Sequence, residues 1–474
     1  MPPYSNAADS RLFRAPLALI GLAITCAAIG HAADPRPGVD WPQFRGIAAN
    51  GVSEGAALPT DWDVATGRNI AWKTDIPGLA HSSPIVWGDR VFVTTAIPVG
   101  GESSLRVGLY GDGGSASDMV EHTFRLYCLN KKTGETVWQR DCKTATPQFK
   151  RHTKATHCNP TPATDGRRVV AMFGSQGLYA FDMDGKPLWS RDLGPMDVGP
   201  HDDNTLQWGF ASSPIIVEDR VVLQCDVKSG PFLIALDAAD GRDLWRVERL
   251  DVTGWSSPTA YHAPDGWQIL MNGCQHIGAV RLSDGSELWR LSGGGGIPVP
   301  TPVVADGLVY LTSNHRPFRP GDPQKPIFVV KADARGQVTL PEEGKGNEQV
   351  AWWVSKRGNY MQTPLIYHGV AYFCYDNGLL SAFDAKTGEE LYRERLTAGG
   401  DGFTASGVAG DGKLYFTSEQ GEVHILRAGR KFERIGSVAM GEVCMATPAV
   451  SDGMLLIRTQ GRVVAVAGTG SGDK

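Results

Sequence analysis

One pattern, A-x-D-x-x-T-G-x-x-x-W or a near variant of it, returns through most of this chain and restricts what it can fold into. Ala235–Trp245 (ALDAADGRDLW) and Ala382–Tyr392 (AFDAKTGEELY) show it most clearly, and Cys128–Trp138, Ala180–Trp189 (one residue shorter) and Ala279–Trp289 repeat it. The opening residues read as the end of a strand, Asp-Gly or Thr-Gly as a tight turn, and the closing Leu-Trp type pair as the start of the returning strand. Each copy is therefore a β-hairpin.

The hairpin belongs to a longer unit. That unit starts with a small residue and Pro, continues through an apolar strand, Asp-Arg or Asp-Gly, a second strand and a Gly turn, and then reaches the hairpin. Eight starts are anchored at Pro84, Pro162, Pro214, Pro258, Pro302, Pro364, Gly407 and Pro448, most of them 41 to 52 residues apart. The wider gaps contain Gly/Ser-rich Gly100–Ser117 and Pro-rich Arg316–Pro326, which read as inserted loops. In one unit, Ser212–Val217, Arg220–Cys225, Phe232–Leu236 and Leu244–Leu250 give four short strands. Four antiparallel strands in a repeat of this length specify a propeller blade. The Trp that opens the fourth strand can cover the gap to the next blade, burying on the order of 200 Å².

The last unit supplies three strands, Thr447–Val450, Met454–Arg458 and Val463–Ala467, and no fourth. An isolated strand at Arg68–Asp75 aligns its Trp72-Lys73-Thr74-Asp75 with Trp189-Ser190-Arg191-Asp192, a complete unit's fourth strand. The sequence thus predicts an all-β, eight-bladed β-propeller of four-stranded antiparallel blades, with the ring closed by an N-terminal strand. Closure removes the sheet edge that would otherwise pair with other chains. An open solenoid would leave Arg68–Asp75 without a role.

Before the ring, residues 1–33 carry Arg11 and Arg14, the apolar run Ala15–Ile29 and small residues to Ala33, the pattern of a secretory signal cleaved near Ala32. That run is short of the roughly 20 residues that span a bilayer. Residues 34–67 read as an irregular arm docked through Trp41, Phe44, Leu58 and Trp62; 68–468 form the propeller, and 469–474 a disordered tail. This places the mature protein outside the cytoplasm, periplasmic or secreted, with no transmembrane segment left. A formal charge of -5 with no Lys/Arg block excludes nucleic acid as a natural partner. Seven cysteines remain after the signal, with no C-x-x-C; Cys225, Cys274 and Cys374 fall near strand ends and read as buried small hydrophobes.

The hairpin signature, the eightfold repetition and the secretory signal resemble the PQQ-like β-propeller repeat family over roughly residues 68 to 468. The resemblance implies two branches: quinoprotein alcohol and sugar dehydrogenases, which bind pyrroloquinoline quinone with calcium, and BamB-type outer-membrane assembly scaffolds, which bind no cofactor. The adjacent-cysteine pair often found beside the quinone is absent, and the sequence places no Glu/Asn/Asp set that matches that branch's calcium constellation with a nearby catalytic Asp. The sequence therefore points to a BamB-like protein-binding or assembly platform without catalysis or cofactor, whose partners are other envelope or secreted proteins. The alternatives are a quinone-dependent dehydrogenase and a binder of metal or small ligands.

No catalytic, cofactor or metal residue is assigned from the sequence. In a propeller, the loops leading into the inner strands share one face with the second-to-third-strand turns, so chemistry is sought there. His81, His157, and His201-Asp202-Asp203 with Trp208 precede the first three inner strands; Trp255, Tyr360 and Phe403 hold similar places later. Imidazole and carboxylate together suit a metal or polar ligand, and the aromatic rings a flat ligand or peptide. Gly293–Gly296 lacks a Gly-Lys-Ser/Thr ending and is not a phosphate loop.

Overall fold

A computed structural model describes Met1 and residues 34–100, 104–109 and 113–467. The chain divides at Ala32–Ala33. The expected signal and the C-terminal tail lie outside the described residues.

Eight of the nine sheets among the described residues are the blades of a propeller, built in chain order from blade 1 (Ile85–Trp87, Arg90–Pro98, His122–Asn130, Thr136–Ala145) to blade 8; the ninth pairs Gly295–Ile297 with Asn314–Pro317. In blade 8, Ala449–Ser451, Met454–Arg458 and Arg462–Ala467 are joined by the N-terminal strand Ile70–Asp75, which lies antiparallel to Arg462–Ala467 with Trp72 opposite Ala465 and Thr74 opposite Val463. Blade 4 departs from four strands: Gly336–Gln337, from a long loop of blade 5, adds a parallel strand against Trp289 and Arg290. That loop, between the third and fourth strands of blade 5, is an insertion the repeat spacing did not separate from Arg316–Pro326.

The repeated hairpin explains how blades stack. In Ala235–Trp245, the Asp237 carboxylate accepts the Ala239 N–H inside the turn, and Gly241 takes a left-handed φ of 74°. A Cβ on Gly241 would lie 2.7 Å from the ring of Trp189, the outer-strand Trp of the preceding blade. That indole then donates Nε1–H to the Ala238 carbonyl at 3.0 Å. The same bond joins Trp72 to Lys131 (2.7 Å), Trp138 to Met183 (3.0 Å), Trp245 to Leu282 (2.8 Å) and Trp352 to Ala385 (2.9 Å). The signatures at Cys128–Trp138, Ala180–Trp189 and Ala235–Trp245 therefore each receive a Trp from the blade before and send their own to the blade after. The core is accordingly a series of apolar clusters between neighbouring sheets, such as Val170, Leu178, Val221, Leu223 and Ile234 between blades 2 and 3.

At the axis, the residues before the anchor prolines form a second set of joints. Backbone N–H groups of Ser83, Thr161 and Ser213 donate to the hydroxyls of Thr161, Ser213 and Ser257 at 2.8 to 3.0 Å. Thr301, Thr363 and Ser406 donate likewise to Thr363, Ser406 and Thr447 at 2.9 to 3.1 Å. Hydroxyl side chains are needed here because each buried N–H at the start of an inner strand has no strand partner on its inner side.

The arm crosses the lower face, where the first-to-second-strand turns lie. Trp41 bridges Val86 of blade 1, the Pro42 carbonyl accepts Thr164 N–H of blade 2, and Ser53 N–H donates to Ala409 of blade 7. Arg45, fully buried, reaches into the ring and donates to the carbonyls of Gly407 (2.8 Å) and Pro364 (3.0 Å). Burial pulls its pKa down to about 9, still high enough to keep the guanidinium charged at neutral pH. Trp62 is buried and donates to the Met440 sulfur at 3.3 Å. Cys225, Cys274 and Cys374 are buried and unpaired, so they fill space as small apolar side chains.

Candidate functional site: a funnel closed below and strapped above

The upper face opens into a cavity of about 170 Å³ on the propeller axis. Its floor combines Phe44 of the arm with the hydroxyl-bearing residues of the axial ring, among them Ser213, Thr363 and Thr447. Its wall is Trp208, Trp255, Ile297, Val299, Tyr360, Met361 and Met445, with His81, His152, Lys154 and Asn159 on the side of blades 1 and 2. The two indoles lie 5.6 Å apart between ring centres and point their N–H groups out of the cavity: Trp208 donates to Gly113 and Trp255 to Gly209. What they present to the cavity is therefore apolar ring surface.

The blade-1 insertion forms a strap over this funnel. Arg106 N–H donates to the Thr153 carbonyl, Gly108 N–H to Glu419 Oε2 at 2.8 Å, and Ala116 N–H to the Arg151 carbonyl. Ser115 Oγ–H donates to the Gln207 carbonyl at 2.8 Å. The strap is thereby fastened to the leading loops of blades 2 and 3 and to blade 7 across the axis. Its central fastening is a buried ion pair, Lys154 Nζ to Glu419 Oε1 at 2.7 Å, with Lys154 also donating to the Gly108 carbonyl. Thr404 Oγ1–H adds a bond to Glu419 Oε1 at 2.6 Å. Desolvation draws the Lys154 pKa below its ordinary value, against the pull of Glu419. His81 donates from Nε2 to the Lys154 carbonyl at 2.6 Å, and desolvation lowers its pKa to about 4, so the ring is neutral at physiological pH.

The residues singled out from the sequence divide into four places. His81, Trp208, Trp255 and Tyr360 converge on the funnel. Phe403 does not: it is fully buried in the core of blades 6 and 7, over Gly378 and beside His424. His201, Asp202 and Asp203 lie on the outer rim, where His201 packs 4.8 Å from Phe318 of the second insertion and Asp203 caps its own loop at Thr205. His157 stands one layer out from the funnel, against Asp118 and His122. Sequence reasoning missed Lys154 and Glu419, whose partners are 265 positions apart, and Phe44, whose place in the cavity depends on the path of the arm.

These features define a PQQ-repeat type, eight-bladed propeller with a central pocket. The family profile described as "Outer membrane protein assembly factor BamB" matches residues 122–317 and 376–474, and the chain belongs to that family. It is 24% identical over 280 residues to a tetrathionate hydrolase of Acidithiobacillus ferrooxidans, covering 56% of this chain and 47% of that one. It is 25% identical over 275 residues to the outer membrane protein assembly factor BamB of Moranella endobia, covering 55% and 60%. The chain thus spans about half the length of the curated relatives it matches. Among solved structures, a europium-containing methanol dehydrogenase superposes with a TM-score of 0.61 at 12% identity, over 90% of this chain and 91% of that one, a likeness of fold alone.

The fold's quinone branch makes calcium with pyrroloquinoline quinone the cofactor to test against this pocket. Calcium takes six to eight oxygen ligands, carboxylates prominent among them. No carboxylate lines the funnel among the described residues. Glu419, behind Lys154, has both oxygens engaged by Lys154, Thr404 and Gly108. The donor set does not fit that pair.

Proposed function

We propose that the protein is a non-catalytic platform outside the cytoplasm, which captures an envelope or secreted protein on its upper face by taking an apolar side chain of the partner into the funnel. The observation that carries this reading is the funnel itself. Its floor is sealed by Phe44 and by hydroxyls already committed to the axial ring, and its wall is mainly aromatic and aliphatic, with His81, His152, Lys154 and Asn159 on one side and no carboxylate among the described residues. Such a surface rewards insertion of an apolar anchor, the usual centre of a protein interface. Val107 and Leu109 of the strap, and Val99 and Val120 at its base, are exposed beside it and extend the apolar face. Membership of a family described as an outer-membrane assembly factor supports an envelope partner. Among the described residues, no helix is long and apolar enough to cross a membrane.

A photo-crosslinking amino acid in place of Met361, in the funnel wall, tests the reading against the same group in place of Leu188 on an outer strand. The expected result is a discrete adduct with an envelope protein from the Met361 position alone. Saturable binding of pyrroloquinoline quinone with calcium, accompanied by dye reduction with an alcohol or sugar, would instead make the protein a dehydrogenase.

A further inference from the structure

At the junction of blades 1 and 2, outside the funnel, three side chains from separate segments meet. Asp118 ends the blade-1 insertion, His122 starts the third strand of blade 1, and His157 lies in the loop leading into blade 2. One potential ligand atom from each falls within 4.8 Å of the others. His157 Nε2 is 3.3 Å from Asp118 Oδ1. For bonds of about 2.0–2.1 Å to zinc, the edge of a tetrahedron is about 3.3–3.4 Å, so these two atoms already hold a coordination spacing. Side-chain rotation has only to bring the third atom inward.

The surroundings fix the roles of the remaining atoms. His122 is buried, and its Nδ1–H donates to the Val120 carbonyl at 2.8 Å, which leaves Nε2 with its lone pair. A backbone carbonyl on the second ring nitrogen is how metal-binding imidazoles are commonly oriented. Arg151 donates Nε and Nη2 to Asp118 Oδ2 at 2.9 and 2.7 Å, leaving Oδ1 for the side facing His157. Burial alone would raise the Asp118 pKa, but hydrogen bonds from His157 and Arg151 outweigh it and hold the carboxyl ionised well below the usual range. Desolvation lowers the His122 pKa, favouring the neutral ring. Asp118, Val120 and Arg151 also line a cavity of about 560 Å³, with room for a water as a further ligand.

We infer that Asp118, His122 and His157 form a binding site for a divalent transition metal, with zinc as the reference ion. Two imidazoles and one carboxylate suit zinc, nickel, copper or ferrous iron and do not suit calcium or magnesium, which take oxygen. Such an ion would join the base of the strap to blade 2. The inference is independent of what enters the funnel.

The test uses the full chain, stripped with chelator and dialysed against micromolar zinc sulfate, with metal measured by mass spectrometry. About one equivalent of zinc is expected. His122→Gln and His157→Gln should each weaken binding by at least about tenfold, while His81→Gln and His201→Gln leave it unchanged. Circular dichroism confirms which variants fold. Cobalt(II) supplies a second readout: intense visible absorption of a four-coordinate site in the unaltered protein, lost in His157→Gln. Less than a tenth of an equivalent of zinc in the unaltered protein overturns the inference. So does an unchanged stoichiometry in both histidine variants, which would leave the His157–Asp118 contact as a structural hydrogen bond.

Discussion

His81 shows how strongly a single side chain depends on its place in this ring. Its Nε2–H is spent on the Lys154 carbonyl, and the ring is recessed beside Arg151, Arg458 and Lys154, so protonation is opposed by desolvation first and by like charge after it. A folded-state pKa near 4, against an ordinary 6.5 in the unfolded chain, means that the folded protein binds fewer protons between those values. The stability it contributes is therefore fully present above about pH 6.5 and declines as pH falls toward 4, by at most about 3 kcal/mol. His276, lowered to about 4 by desolvation and then by Arg249, adds to the same slope. In urea unfolding at pH 7 and pH 4.5, His81→Gln, which keeps an N–H donor for the carbonyl, should lose less stability between the two than the unaltered chain. An equal loss would mean that His81 is not the neutral group described.

Among the loops, the strap depends on a buried ion pair, and such pairs behave asymmetrically. Removing one partner strands a charge in a dry site at a cost of about 3–5 kcal/mol, whereas replacing both with apolar groups is often neutral or stabilising. Glu419→Gln should thus destabilise strongly and release the strap, read as faster proteolysis near residues 104–118. Lys154→Met with Glu419→Leu should recover most of the stability; a double variant as weak as the single one would show that the bonds to Gly108 and Thr404, not the charges, hold the strap. This element also marks how far the sequence could be read. Repeat period and hairpin chemistry placed every blade, because Gly, Asp and Trp act locally or on the adjacent blade. They gave the loop positions of His81, Trp208, Trp255 and Tyr360 but no side-chain direction, so Phe403 was expected in the funnel and lies in the core. Asp118 sits in an insertion outside the repeat, and His122 reads as an ordinary strand residue, so their meeting with His157 is a product of folding alone.

Over the whole molecule, stability depends on whether the ring is shut, and one short strand decides that. Ile70–Asp75 pairs with the last strand of the chain, so the first described strand and the last lie side by side in one sheet. It also docks blade 8 onto blade 1: Trp72 lies against Gly134 and donates to Lys131, and Thr74 donates to the Gly134 carbonyl at 2.6 Å. The Trp72 ring fills the same slot that Trp189 fills between blades 2 and 3, and its strand likewise runs on into the inner strand of the next blade, Ile85–Trp87. The step without covalent continuity lies inside blade 8, where Ile70–Asp75 meets Arg462–Ala467 through the sheet ladder and packing. Trp72→Ala should therefore cost about 3–5 kcal/mol, the range for emptying a buried aromatic site, and more than Trp245→Ala, whose ring is partly exposed. A chain beginning at Pro77 goes further, exposing Arg462–Ala467 as a free edge of largely apolar sequence, a template for pairing between molecules. Sedimentation should then show association that a synthetic peptide of residues 69–76 suppresses by restoring the missing strand. A shortened chain that stays monomeric with the same unfolding midpoint would mean that closure by this strand adds nothing measurable to the stability of the ring.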